Sequence, residues 1–271
     1  MPYAAVVGTP IGHSLSPVLH RAAYAALGLS DWTYQAIECA ESRFPALLAG
    51  LDGDCAGLSV TMPLKRVALT EATTRSTLAD AVGAANTLVR REDGWYADNT
   101  DVAGVVGALA EAGVHSAAGA VLLGAGGTAQ AALAALRELG EPKPTVLVRE
   151  PARAAALLET AARLGVHPQV VRGFDDAVVG DAPVVISTLP RGAADPVGRT
   201  TRWGTGGVLL DVIYDPWPTV LAESAAAAGR SVVSGRSMLL HQGVRQVELM
   251  TGHVPPIAAV RAALVEATGQ G

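Results

Sequence analysis

Short apolar runs alternate with longer stretches of helical periodicity along most of the chain. Runs at 3–8, 33–38, 56–60 and 86–90 read as strands, and 95–98 extends the same sheet after an Asp93-Gly94 turn. Residues 16–27 read as a helix with Pro17 in its first turn, where a missing N–H leaves no bond unmade. A helix over 101–112 ends at Gly113. A second series then begins, with strands at 120–123, 145–148, 184–187, 208–212 and 231–233 and helices over 128–139, 151–164 and 218–228. Helices over 237–250 and 256–267 close the chain. Strands separated by helices in this order predict the α/β class, with parallel sheets covered by helices.

The restart after residue 101 predicts two domains in the 271-residue chain: 1–101 together with 238–271, and 102–237. The last two helices are amphipathic and follow the final strand, so they are expected to cross back onto the first domain. Half of the residues are apolar and the formal net charge is −5, which argues against a nucleic-acid partner. No apolar run reaches the length of a membrane span. Met1-Pro2-Tyr3 leads directly into a strand with no basic leader. Cys39 and Cys55 are too few for a disulfide framework, and the six histidines lack metal-ligand spacing. These features predict a cytoplasmic protein with a small-molecule substrate and no metal, monomer and homodimer both being open.

The turn Gly124-Ala125-Gly126-Gly127-Thr128-Ala129 lies between a predicted strand and a predicted helix and fits G-x-G-x-x-A. The first glycine permits the tight turn, the second lets a pyrophosphate approach the backbone, and the small Ala129 lets helix and strand pack closely. N–H groups at the helix start then face phosphate oxygens. The alternative is a glycine-rich turn with no ligand. The next strand ends at Val148-Arg149-Glu150, where the adenosine ribose is expected. Arg149 and Arg153 form a clamp for a 2′-phosphate, which favours NADP. Glu150 would instead accept from ribose hydroxyls, which keeps NAD open, or simply be a solvated charge at a helix start.

Of the 20 lysines and arginines, only Lys65 and Lys143 are lysine. Where arginine is the default cation, a lysine is notable because an ammonium can exchange a proton and a guanidinium does not. Lys65 ends the segment Thr61-Met62-Pro63-Leu64-Lys65, after the run 56–60. The bland alternative is a surface lysine at a helix start. Ser14 and Ser16 place two hydroxyls on the loop after the first strand, suited to a hydroxylated or carboxylated ligand, although Ser16 is also a natural cap for the following helix. His20, within that helix, reads as structural. The only asparagines, Asn86 and Asn99, flank further candidate positions, and Asp101 is either a site carboxylate or a helix N-cap.

Together these segments resemble the shikimate dehydrogenase family over essentially the whole chain. The resemblance rests on Gly8-x-Pro10-x-x-His13-Ser14-x-Ser16-Pro17-x-x-His20, Ser59-Val60-Thr61-Met62-Pro63-x-Lys65 and Gly83-Ala84-Ala85-Asn86-Thr87. It continues through Asp98-Asn99-Thr100-Asp101, Gly124-Ala125-Gly126-Gly127, Asp211-x-x-Tyr214-x-Pro216 and Gly235-x-x-Met238-Leu239-x-x-Gln242. It implies an N-terminal substrate domain, a Rossmann-type domain and a cleft between them. By resemblance, Ser14, Ser16, Thr61, Lys65, Asn86, Asp101 and Gln242 would line a shikimate pocket, with Tyr214 near the substrate carboxylate. Lys65 would exchange the proton, oriented by Asp101. Gly124 to Thr128 would hold the pyrophosphate, Arg149 and Arg153 the adenosine phosphate, and Thr188 and Gly235 would lie near the cofactor. The implied activity is NADP-dependent reduction of 3-dehydroshikimate to shikimate. An NAD-dependent quinate/shikimate dehydrogenase and a non-catalytic ligand sensor are the alternatives. The chain departs from the family pattern in Arg21 after His20, and in Val148 and Glu150 on either side of Arg149.

Overall fold

The computed structural model describes residues 1–269. It divides into two compact units, Met1–Thr100 with Leu240–Gly271, and Asp101–Leu239. Residues 270 and 271, at the end of the segment assigned to the first domain, lie outside the described residues.

The first unit begins with β1 (Tyr3–Gly8), α1 (Ser16–Ala26), β2 (Thr33–Glu38), α2 (Phe44–Gly50) and β3 (Cys55–Val60). It continues with α3 (Lys65–Glu71), β4 (Thr74–Arg75), α4 (Thr77–Val82), β5 (Thr87–Arg91) and β6 (Gly94–Asp98). The sheet order is β2-β1-β3-β5-β6-β4. β1 pairs in parallel with β2 and β3, as expected of an α/β unit. The parallel expectation does not extend to β5 and β6, which are antiparallel. Arg91 pairs with Gly94, leaving only Glu92 and Asp93 to turn the chain, and so short a loop joins antiparallel strands only. Phe44, Leu58, Leu64 and Leu88 are fully buried and form the centre of this core.

The second unit contains α5 (Asp101–Glu111), β7 (Val121–Leu123), α6 (Gly127–Glu138), β8 (Thr145–Val148), α7 (Ala155–Leu164) and β9 (Gln169–Arg172). It continues with α8 (Asp176–Asp181), β10 (Val184–Ser187), α9 (Asp195–Thr200), β11 (Val208–Asp211), α10 (Val220–Ala227) and β12 (Ser231–Ser234). The helix read over 151–164 begins as a 3-10 turn, Pro151–Ala154. All pairings in this sheet are parallel, in the order β9-β8-β7-β10-β11-β12. The chain leaves β7 in one direction along the sheet and later returns beside it through β10. The carboxyl ends of that adjacent pair form the switch point where such sheets bind ligands. Small residues explain the tight layering: Ala129, Ala131, Ala132 and Ala135 of α6 are fully buried.

The last helices are α11 (Gly235–Thr251) and α12 (Ile257–Thr268). Within the first unit, α12 packs on α1, and α11 approaches β3 so closely that a Cβ at Gly57 would lie 2.6 Å from Met250 Cγ. A Cβ at Gly243 would likewise collide with Leu19 of α1. Side chains at these two positions would force the helix away from the unit's core. Among the described residues, no helix is long and apolar enough to cross a membrane.

Candidate active site

Parallel pairing brings the carboxyl ends of β1 and β3 together, and the antiparallel β5 starts beside them because Thr87 pairs with Ser59. The loops leaving these strands therefore gather at one end of the first sheet. Thr61 N–H donates to Val7 O at 2.9 Å, and Thr9 N–H donates to Met62 O at 3.0 Å. A Cβ at Gly8 would lie 2.7 Å from Met62 O, so the close approach of the two loops depends on glycine there. Ser14, Thr61 and Lys65 are half-buried around this end, while Ser16 and Asn86 are buried.

Ser16 does not cap α1: Leu15 holds the cap position, which has no side-chain cap bond, and Ser16 begins the helix. Ser14 Oγ instead accepts from Ser16 N–H at 3.3 Å. Lys65 is the first residue of α3, and its carbonyl accepts from Ala85 N–H at 2.8 Å, tying the helix start to the segment before Asn86.

Asn86 is held from several sides. Its Oδ1 accepts from Thr100 N–H at 2.7 Å and from the Thr87 hydroxyl at 2.8 Å. Its Nδ2 donates to Thr100 Oγ1 at 3.0 Å and to Gln242 Oε1 at 3.3 Å. Thus the folded first unit joins two predicted residues that are 156 positions apart in sequence. Asp98 Oδ1 accepts from Ser76 Oγ at 2.6 Å and Asn99 N–H at 2.8 Å, and Asn99 Nδ2 donates to Ala84 O at 2.9 Å, fixing the adjoining segment.

A network that the sequence reading did not identify lies beneath Asn86. Gln246, one helical turn after Gln242, donates through Nε2 to Asn86 O and to Thr87 Oγ1, both at 3.0 Å. Its Oε1 accepts from Ser59 Oγ at 2.7 Å, and Tyr34 OH donates to Ser59 Oγ at 2.6 Å. His20 Nε2 lies 3.3 Å from Gln246 Oε1, and its ring stacks on Tyr34 with centroids 4.0 Å apart. Burial pushes the His20 pKa down to about 3, against the opposing effect of its Gln246 hydrogen bond, so the imidazole is neutral at ordinary pH. Its structural reading therefore stands. The available sequence signal was the i, i+4 spacing of Gln242 and Gln246, with two long amides on one face of an otherwise core-facing helix.

The remaining substrate candidates, Asp101 and Tyr214, belong to the second unit. Asp101 is buried in the first turn of α5, where a carboxylate also complements the helix end. Tyr214 is half-buried, and burial raises its pKa, reinforced by Asp215. Asp211 shapes the Tyr214 loop by accepting from Ile213 N–H at 3.3 Å and the Thr219 hydroxyl at 2.7 Å.

The second unit also carries the glycine-rich turn. Gly124 has φ +103°, and a Cβ there would sit 2.7 Å from Thr188 Oγ1. Thr188 bridges the switch point, with its N–H and Oγ1 donating to Leu123 O at 3.0 and 2.8 Å. A Cβ at Gly126 or Gly127 would meet nothing within 4 Å, so their open backbone leaves room for a bulky ligand. A pocket of about 850 Å³ opens there, lined by Gly124, Ala125, Gly126, Arg149, Arg153 and Thr188 among others. Thr128 is the second residue of α6, and Arg149 and Arg153 are exposed at the end of β8 and in the 3-10 turn. Glu150 Oε2 lies 3.9 Å from Arg172 Nη2 at the end of β9, a contact absent from the sequence reading. Gly235, at the start of α11, has no space for a Cβ because Val212 O would overlap it.

The N–H groups at an open helix start, with Arg149 and Arg153 lining the same pocket alongside Glu150, fit a phosphorylated dinucleotide. Among the described residues, no cluster of three or more His, Cys, Asp or Glu is arranged to hold a metal ion.

Comparison with known proteins gives concordant matches. Residues 6–88 match the shikimate dehydrogenase substrate binding domain, and residues 235–265 match the shikimate 5′-dehydrogenase C-terminal domain. A curated Caulobacter vibrioides protein named shikimate dehydrogenase (NADP(+)) is 40% identical over 276 residues, covering 98% of this chain and 95% of that protein. The crystal structure of Mycobacterium tuberculosis shikimate dehydrogenase is 46% identical, with a TM-score of 0.89 over 98% of this chain and 100% of that one. Shikimate 5-dehydrogenase from Thermus thermophilus, solved in complex with NADP(H) and shikimate, is 31% identical. Its TM-score is 0.86 over 98% of this chain and 100% of that one.

Proposed function

The chain belongs to the shikimate dehydrogenase family, and we propose that it catalyses the reversible, NADP-dependent reduction of 3-dehydroshikimate to shikimate. The observation that carries this reading is the convergence of Ser14, Ser16, Thr61, Lys65, Asn86 and Gln242 at one sheet end, in a chain that also carries a glycine-lined pocket bordered by Arg149 and Arg153. The first unit is read as the substrate domain and the second as the dinucleotide domain. Two buried free cysteines accord with a reducing cytoplasm.

Gly124 to Thr128 would hold the pyrophosphate, Arg149 and Arg153 the 2′-phosphate, and Thr188 and Gly235 would border the nicotinamide side. When bound, NADPH supplies the hydride that converts the substrate ketone to an alcohol. Negative charge then develops on the former carbonyl oxygen. Lys65 is assigned the role of stabilising that charge and donating its proton to that oxygen, and of accepting the proton in the reverse direction. Asp101 is assigned to bind a substrate hydroxyl. Asn86 and Gln242 donate to substrate oxygens, Ser14, Ser16 and Thr61 add hydroxyls, and Tyr214 borders the carboxylate.

The test is spectrophotometric oxidation of shikimate with NADP⁺ and with NAD⁺. Turnover of shikimate with NADP⁺ preferred is expected, and absence of turnover would sink the reading. Lys65→Arg keeps the charge but removes a readily transferable proton, so kcat should fall about 100-fold or more with a smaller change in KM. Near-wild-type kcat would remove Lys65 from proton transfer. Asp101→Asn should lower kcat and raise the KM for shikimate; an effect on thermal stability alone would leave Asp101 as a capping residue.

A further inference from the structure

The carboxyl end of β11 carries a buried acid to which the proposed reaction gives no role. Asp211 is 1% exposed, and its hydrogen-bond partners are neutral donors. One carboxylate oxygen accepts from Ile213 N–H, and the other accepts from the Thr219 hydroxyl, eight residues on. The acid therefore clasps the two ends of one loop, 211–219, which carries Tyr214. The Thr219 hydroxyl bonds in both directions. Its oxygen also accepts from Ala222 N–H and caps α10, so the far end of the clasp is anchored to a helix. The near end is anchored to the sheet, where Val212 N–H donates to Ser187 O at 3.0 Å. A third tie runs to the start of α11. There Gly235 N–H donates to Ile213 O at 3.2 Å, and Val212 O fills the space that a Cβ at Gly235 would need. Burying a carboxylate is unfavourable, and burial raises the Asp211 pKa against the opposing bonds from the Thr219 hydroxyl and Ile213 N–H. What the acid contributes at this position is its pair of bonds to the loop.

We propose that Asp211 and Thr219 are positioning residues that clasp the loop 211–219 and thereby set where Tyr214 stands at the substrate carboxylate and Gly235 at the nicotinamide. This rests on the reading of Tyr214 and Gly235 as site residues. Neither Asp211 nor Thr219 touches a ligand in this scheme. The clasp, the loop and the start of α11 all belong to the second unit.

Three variants of the full chain open or keep the clasp. Asp211→Ala removes the acceptor and leaves the α10 cap, Thr219→Val removes the donor and the cap together, and Thr219→Ser keeps both. The Ala and Val variants should lower kcat/KM for shikimate about tenfold, the loss of one hydrogen bond to a charged group. The KM for NADP⁺ should stay within about twofold of wild type, because the residues assigned to its phosphates follow β7 and β8 rather than β11. Thr219→Ser should restore shikimate turnover. Tyr214→Phe should lower kcat/KM less in an opened clasp than in the wild type, since the ring is already displaced. A loss of stability alone would leave the two effects additive. A second readout needs no substrate. Amide hydrogen exchange over 212–219 should quicken about tenfold in Asp211→Ala and Thr219→Val, keep the wild-type rate in Thr219→Ser, and stay unchanged over β10 in all three.

A folded Ala or Val variant with wild-type kcat/KM for shikimate would overturn the proposal, as would additive effects with Tyr214→Phe, and whichever of the two variants folds decides it. A wild-type chain that does not oxidise shikimate would overturn the functional reading instead, and unchanged exchange over 212–219 would then still overturn the clasp.

Discussion

Glu150 occupies a position where an acid would repel a 2′-phosphate and favour NAD, yet its carboxylate lies 3.9 Å from the Arg172 guanidinium. Both side chains are largely exposed, so the pair contributes at most about 1 kcal/mol and is screened by salt. That is enough to change selectivity severalfold. Arg172→Ala should lower the NADP⁺/NAD⁺ ratio of kcat/KM by about three- to fivefold, and Glu150→Thr should raise it. Both effects should shrink in about 1 M salt. A ratio unchanged in both variants would show that Arg149 and Arg153 set the preference alone. The sequence carried Arg149, Arg153 and Glu150 in plain view, because they follow the glycine-rich turn at a known interval. Arg172 was invisible because it becomes a neighbour only through the parallel register of β8 and β9, where Val148 pairs with Arg172.

At the scale of elements, α1 carries a pH liability in His20. The folded state holds this imidazole unprotonated down to about 3, whereas an unfolded histidine takes up a proton near 6.5. The resulting stability is present above about 6.5 and is lost as pH falls toward 3, by about 1.4 kcal/mol per unit. Urea unfolding at pH 5 should therefore give a stability about 2 kcal/mol below that at pH 7 from this group. His20→Gln should be less stable at pH 7 but show a flatter slope; an equally steep slope would assign the acid sensitivity elsewhere. The long elements were legible because their apolar periods repeat. Short helices such as α2, α4, α8 and α9 were not, since six or seven residues complete fewer than two turns. Strand β9 was missed for a similar reason: Gln169-Val170-Val171-Arg172 has only two apolar residues, as suits a partly exposed edge.

For the whole molecule, the proposed cofactor residues from Gly124 to Arg153 lie in the second unit, while Ser14, Ser16, Thr61, Lys65, Asn86 and Gln242 lie in the first. NADP⁺ alone should slow amide hydrogen exchange over 124–128, and shikimate alone should slow it over 14–16 and 61–65. At 100 times its Kd, either ligand should add about 2.7 kcal/mol to the stability of the unit that binds it. Protection by NADP⁺ confined to the first unit would reverse the assignment. The uniform strand–helix alternation made the second sheet's parallel pairing readable. The β5–β6 hairpin was signalled by the Asp93-Gly94 turn, with the observed turn one residue earlier at Glu92 and Asp93; the antiparallel pairing of β5 with β3 was hidden, because apolar runs do not reveal strand direction. Asn86 and Gln242 were recognised as separate motifs, and only folding shows them in contact.

The fixed direction of the Asn86–Gln242 chain also bears on which molecules the site refuses. A loose amide can rotate to suit a ligand that offers a donor or lacks an oxygen altogether. An amide held between Thr100 N–H and the Thr87 hydroxyl has no such freedom. A ligand whose polar groups do not match that orientation could bind only by breaking those hydrogen bonds, and discrimination would follow from that mismatch rather than from pocket size. The conformational entropy of ordering these side chains is lost as the first unit folds, before any ligand arrives.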